Sequence, residues 1–256
     1  MRDSTDYQTK KQALRRWLTV YGRNPVETCL QDSTLQPKVL HLADSNQMSE
    51  KLERLTQLAN KRGCEIRFHS RDALARISKN KKQDQGVALD VECRAFSDLS
   101  AFLHSSTAPA CKLILLDRVT NPQNLGMILR SITAAGIDGV IVPEQGCAPL
   151  GPLVAKSSAG TLFHAPVLRC HSSSEALDLV LQAEFTCYTL SSHSSADFFK
   201  ENIPSRAVFV LGNESEGVAP DIEARCRAKV KIPMHNGVES LNVAITAALI
   251  AYYFDK

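Results

Sequence analysis

The sequence predicts an α/β protein built of two unequal parts. Short apolar runs alternate with amphipathic segments along the chain. The runs of the second half are longer and continuously apolar, and a small, polar, proline-bearing stretch, "SDLSAFLHSSTAPACK" at 97–112, divides the two halves. A chain of 256 residues has length enough for two cores. The division places one domain at 1–105 and the other at 106–256.

In the first part, "NPVETCL" reads as a helix start, with Asn24 as cap and Pro25 at the first helical position. "KVLHLAD" reads as a strand, Ser49 to Lys61 as an amphipathic helix, "EIRFHS" as a second strand, "RDALARIS" as a short helix and "GVALDVE" as a third strand. This is a small α/β domain. In the second part the strands are "KLILLD", "GVIVP", "FTCYTLS", "RAVFVLG" and "KVKIP", separated by helical segments. Their continuous apolar character fits a parallel sheet covered on both faces. Ligands of open α/β sheets lie beyond the carboxyl ends of the strands. That singles out three loops: "RVTNPQN" after "KLILLD", "GNESEG" after "RAVFVLG" and "MHNGVES" after "KVKIP".

Composition narrows the class further. No apolar run reaches the ~18 residues that a membrane-spanning helix needs. The N-terminus lacks the apolar core of a signal peptide. The eight cysteines stand at 29, 64, 93, 111, 147, 170, 187 and 226 without a C-x-x-C pair, so neither a zinc site nor a disulfide framework is expected, and no metal is assigned. Scattered thiols point to a reducing cytoplasm. The net charge of +3 is uneven. Residues 1–105 carry 18 Lys/Arg against 13 Asp/Glu and residues 106–256 carry 12 against 14. A basic front half, with "KKQALRR" at 10–16, Lys61–Arg62 and "KNKK" at 79–82, points to a module that binds a polyanion such as RNA.

Each loop residue has an ordinary structural explanation. Asn124 precedes the helical run 125–135 and reads as an N-cap. Arg130, on that helix beside Ile128, Leu129 and Ile132, reads as exposed or snorkelling. Asn213 tolerates left-handed backbone in "GNESEG", where Glu214 is a solvated turn carboxylate. Ser240, before an apolar helix, reads as its cap, with Asn242 in the first turn. Taken together they read differently. Each strand-end loop sets a polar residue beside a glycine: Asn124 near Gly126, Glu214 after Gly212, Ser240 after Gly237. Glycine lets backbone approach a ligand closely, and converging polar groups make a binding site. The chain has neither a G-x-G-x-x-G fingerprint nor a P-loop.

"DRVTNPQNLGMILRSITAAG", "VFVLGNESEGV" and "KIPMHNGVESLNVAITAA" resemble the three motifs of the SpoU family, and "IVPEQGCAPLGPLVAKSSAGTLFHAPV" also follows its pattern. These are S-adenosylmethionine-dependent RNA ribose 2′-O-methyltransferases of the SPOUT superfamily. The resemblance covers about 112–254. Through "YGRNPVETCL" and "DQGVALDV" the front half resembles the substrate-binding domain of many members, with Asp84 where the family usually shows a histidine.

The resemblance implies a deep trefoil knot in the catalytic domain. It implies a cofactor pocket lined by backbone around Gly212, Ile232 and Leu241, and homodimerisation through the C-terminal helix. It assigns Arg130 to activation of the ribose hydroxyl, Asn124 to orienting that arginine or the ribose, Glu214 to holding the loop, and Ser240 and Asn242 to completing the pocket. A guanidinium is not normally a base. Either an unusual environment deprotonates Arg130, or it stays charged, binds the target phosphate and stabilises the developing alkoxide. The second is preferred. The layout most resembles the branch that methylates a guanosine in 23S rRNA. A tRNA guanosine methyltransferase is the alternative, and a non-catalytic RNA-binding protein of the same fold is a third reading.

Overall fold

The computed structural model describes residues 16–192, 194–213 and 215–254. The chain forms two compact units. The first holds the described residues up to Arg94, together with Leu150–Pro152. It contains strands β1 (Trp17–Tyr21), β2 (Gln36–Ala43), β3 (Glu65–His69) and β4 (Val87–Glu92), and helices α1 (Arg23–Gln31), α2 (Glu50–Lys61) and α3 (Arg71–Ser78). The sheet order is β1-β4-β2-β3, with only the β2–β3 pair parallel.

Local chemistry explains most of these boundaries. Ser49 and Ser70 cap α2 and α3 by accepting the backbone N–H groups of Leu52 and Ala73. The expected cap at Asn24 does not form. Helix α1 begins at Arg23 after Gly22, whose φ of +91° turns the chain without a side-chain cap. Strand β1 carries little pattern of its own, because "WLTVY" is short and follows a charged run. Asp84 is fully buried beside a turn formed by Gln85 and Gly86, both at positive φ. Its Oδ1 accepts from Arg71 Nη1 at 2.6 Å and from Gly86 N at 2.9 Å, and its Oδ2 accepts the Ser78 hydroxyl at 2.8 Å. A buried carboxylate is tolerable when its oxygens are satisfied in this way. A histidine would leave the Arg71 guanidinium without its anion, so Asp84 and Arg71 form a matched pair.

The second unit runs from Ala95 to Pro149 and from Leu153 onward. Its strands are β5 (Ser97–Asp98), β6 (Cys111–Leu116), β7 (Gly139–Pro143), β8 (Val167–Cys170), β9 (Thr186–Leu190), β10 (Arg206–Leu211) and β11 (Ala228–Val230). Its helices are α4 (Leu99–Ser105), α5 (Pro122–Ala134), α6 (Pro152–Ser157), α7 (Ser173–Gln182), α8 (Pro220–Glu223) and α9 (Val243–Tyr253). The strands form one seven-stranded sheet in the order β11-β9-β10-β6-β7-β8-β5, and every pairing is parallel. Leu113, Ile114, Leu115 and Leu116 of β6 have no exposed surface, as expected of a strand covered on both faces.

The division expected after residue 105 falls earlier. Residues 95–105 belong to the second unit, because β5 pairs with β8 and buried Leu99 joins the core around β6 and α7. "SDLSAFLHSS" looked like a linker through its serines, yet Asp98 caps α4 by accepting from Ala101 N. No helix among the described residues is long and apolar enough to cross a membrane.

Candidate functional site: a pocket at the carboxyl edge of the sheet

Strands β6, β9, β10 and β11 end together, and the segments that follow β9, β10 and β11 line a cleft of about 1290 Å³. Leu190, Leu211, Ile232, Pro233 and Met234 supply apolar wall, while Ser191, Ser192, Ser240 and Asn242 supply polar groups. Gly212, Ile232, Leu241, Ser240 and Asn242 all line this cleft.

Gly212 shows why its position tolerates no side chain. A Cβ there would lie 2.1 Å from the carbonyl carbon of Gly217 and 2.2 Å from the nitrogen of Val218. The loop after β10 doubles back against it: Asn213 N donates to Gly217 O at 3.0 Å and Gly217 N to Asn213 O at 2.9 Å. Asn213 Oδ1 also accepts from Ser215 N and Glu216 N, while its Nδ2 donates to Arg118 O at 3.1 Å. Buried Asp117, at the end of β6, accepts from Ala219 N at 2.8 Å. The first and second loops are thus stitched together by Asp117, Arg118 and Asn213.

The capping assignments at this edge differ from expectation. Asn121, not Asn124, caps α5 by accepting from Gln123 N and Asn124 N, with Pro122 opening the helix. Asn124 lies inside the first turn, is buried, and its Oδ1 accepts from Asn242 Nδ2 at 3.1 Å. Likewise Asn242, not Ser240, caps α9 by accepting from Ala244 N at 2.8 Å. Ser240 is exposed on the pocket rim. The signal for Asn121 was present: asparagine before proline at a helix start is the pattern applied at Asn24, where it failed. The Asn124–Asn242 pair joins the first loop to the third and had no signal in the sequence.

Arg130 stands exposed on α5 and is not part of the pocket wall. It shares its helix face with exposed Met127, one turn earlier. Glu214 lies outside the described residues. Cys147 donates its thiol to Leu116 O at 3.5 Å, and burial pushes its pKa up to about 11, which keeps it a protonated thiol rather than a nucleophile. Among the described residues, no three His, Cys, Asp or Glu side chains are grouped so as to hold a metal ion.

A two-unit chain, with a parallel sheet whose strand-end segments line a polar and apolar cleft, defines an α/β ligand-binding fold joined to a second module. Comparison with known proteins makes the assignment specific. The SpoU rRNA Methylase family matches residues 112–252, and the RNA 2′-O ribose methyltransferase substrate-binding family matches residues 19–95. The chain therefore belongs to the SpoU family, and it is an RNA methyltransferase of that family.

Among its relatives, a protein of Mycolicibacterium vanbaalenii described as an uncharacterized tRNA/rRNA methyltransferase is 32% identical over 234 residues, covering 90% of this chain and 74% of the relative. A putative TrmH family tRNA/rRNA methyltransferase of Staphylococcus saprophyticus is 26% identical, covering 92% and 94%. The solved structure of the SpoU methyltransferase AviRb from Streptomyces viridochromogenes, in complex with AdoMet, has a TM-score of 0.62 at 23% identity and covers 98% of this chain and 92% of that one. At that identity the likeness concerns the fold.

Proposed function

We propose that this protein transfers a methyl group from S-adenosylmethionine to a ribose 2′-hydroxyl of RNA, and that the target is a guanosine of 23S rRNA. The observation that carries the reading is the convergence of the strand-end loops on one pocket in a chain that also holds the family's substrate-binding module. The pocket suits the cofactor. Its apolar wall fits a purine face, its serines and Asn242 fit ribose and amino-acid groups, and Gly212 lets the loop pack so closely that backbone forms the wall. Gly212, Ile232 and Leu241 would hold the adenosine part. Bound there, S-adenosylmethionine supplies an electrophilic methyl group on a cationic sulfur that leaves as a neutral thioether.

The protein must then align the hydroxyl and stabilise its loss of a proton. Alignment contributes up to roughly 7–11 kcal/mol in favourable cases. Arg130 keeps its charge, pairs with the target phosphate and stabilises the developing alkoxide. Asn124, held by Asn242, fixes the start of the helix that carries Arg130. Ser240 and Asn242 complete the pocket, and Glu214 is assigned to holding the active-site loop. The trefoil knot of the family belongs to this proposal, supported by the return of the segments after β10 and β11 to one pocket.

RNA affinity is assigned to the front module. Of its basic groups, Lys81 is paired with Asp72 at 2.8 Å, and "KKQALRR" lies outside the described residues except Arg16. Mapping 2′-O-methylation in a deletion strain tests the function. One guanosine of 23S rRNA is expected to lose its methyl group. Loss in tRNA instead would move the substrate to the alternative, and an unchanged map in both pools would refute the proposal.

The same reading includes a homodimer through α9. Val243, Ala244, Ala247, Ile250 and Ala251 face the core, whereas Ile245, Leu249 and Tyr252 are exposed, as is Met127 on the packed helix α5. An apolar face of this kind marks a protein interface. Met127 stands one turn from Arg130 on α5, which supports a site completed by a second copy. Sedimentation at micromolar concentration is expected to give a dimer, and a fully active monomer would exclude it.

A further inference from the structure

Arg118 sits between the first two loops in a conformation that a bulky residue rarely adopts. Its φ is +58°, the left-handed region, where an L side chain crowds its own backbone. Such strain persists only where surrounding contacts over-determine it, and it concentrates at working parts of proteins. Here the contacts are explicit. Arg118 Nη1 pairs with Glu216 Oε2 at 2.5 Å, Nη2 donates to Gly217 O at 3.2 Å, and the Arg118 carbonyl accepts from Asn213 Nδ2 at 3.1 Å. The stem passes over Gly146, where an added Cβ would come within 3.3 Å of Arg118 Cγ. One residue therefore holds Asn213, Glu216 and Gly217 together.

We propose that Arg118 is a positioning residue for the cofactor pocket: its strained backbone and forked guanidinium clasp Asn213, Glu216 and Gly217 where they line the cleft. The inference rests on the cofactor reading above. Glu216 is exposed and its pair with Arg118 lies at the surface, where an isolated ion pair contributes little to global stability. Holding a loop is a different task. A loop that is clasped only part of the time raises the apparent Kd of its ligand by the reciprocal of the clasped fraction. The two-nitrogen fork explains why arginine occupies the position, since lysine would hold Glu216 or Gly217 O but not both.

The test separates clasp from scaffold by using glycine. Arg118→Gly removes the guanidinium and relieves the left-handed strain together. The melting temperature of the ligand-free protein is expected to stay level or rise, while the Kd for S-adenosylmethionine, read by calorimetric titration, rises roughly ten-fold. Glu216→Gln is expected to weaken binding in the same direction, and the double variant to be no weaker than Arg118→Gly alone, because both remove one clasp. Arg118→Lys should fall between. Parent and Arg118→Gly proteins with equal Kd would overturn the clasp while leaving the pocket reading intact, as would fully additive losses in the double variant. A parent protein that does not bind S-adenosylmethionine would overturn the pocket reading and the clasp with it.

Discussion

Arg130→Ala is expected to lower methyl transfer by roughly 10²–10³-fold, the scale for removing one donor aimed at developing charge. S-adenosylmethionine affinity should stay within a few-fold, because Arg130 is not in the pocket wall. Arg130→Lys separates the two chemical readings of this residue. It keeps a positive charge but loses the planar fork. If the arginine acts as a charged partner of phosphate and alkoxide, the lysine variant retains part of the rate and its pH profile up to pH 9 follows the parent. If the arginine acts as a base, the profile of the lysine variant moves with the amine. Calorimetry alongside a methyl-transfer assay checks both, and full activity in Arg130→Ala would sink the assignment.

Gly212→Ala is expected to abolish detectable cofactor binding. The added methyl would fall well inside contact distance of the Gly217–Val218 backbone, and no flexible side chain stands there to yield. The loop must therefore move away from β10, carrying Asn213 and its bonds with it. Overpacking of a tight site costs typically ~1–3 kcal/mol in stability, so a protein that stays folded while losing the pocket is the predicted outcome. Circular dichroism melting with calorimetric titration measures the two effects, and unaltered affinity would show that the close approach at Gly212 does not shape the site. The two substitutions dissect the protein along different lines, one sparing the pocket and the other destroying it.

Much of this arrangement was legible in the sequence, for physical reasons that differ by element. Five strands of the large sheet, β6, β7, β9, β10 and β11, declared themselves because burial on both faces demands continuous apolar runs, as in "KLILLD" and "RAVFVLG", whereas the four-residue β8 (Val167–Cys170) did not. Helices α2 and α3 were legible from serine caps and amphipathic spacing. What escaped were features decided by partners far along the chain. Strand β5 has two residues and exists because β8 accepts it. Asn124 looked like a cap because it precedes an apolar run, whereas its partner is Asn242. Arg118 carries no signal in "LDRVTN", since neither its positive φ nor its reach to Glu216 and Gly217 leaves a mark on local pattern. Of the residues that the family resemblance names, Gly212, Ile232, Ser240, Leu241 and Asn242 line the cleft and Asn124 and Arg130 do not, and which of them touch one another had to come from the fold.

The central position of β6 also governs how the chain must be made. Cys111–Leu116 lies between β7, which follows it closely, and β10, whose first pairing residue is Arg206. During synthesis one edge of the apolar strand β6 waits, unpaired, until most of the protein has emerged. Pairings of such long sequence separation form slowly, and an exposed apolar edge is a template for wrong partners in the meantime. The pocket is assembled later still, since its third wall follows β11. A ribosome that stalls before residue 206 therefore presents a half-sheet with no binding site, a species whose fate depends on shielding that edge rather than on any ligand.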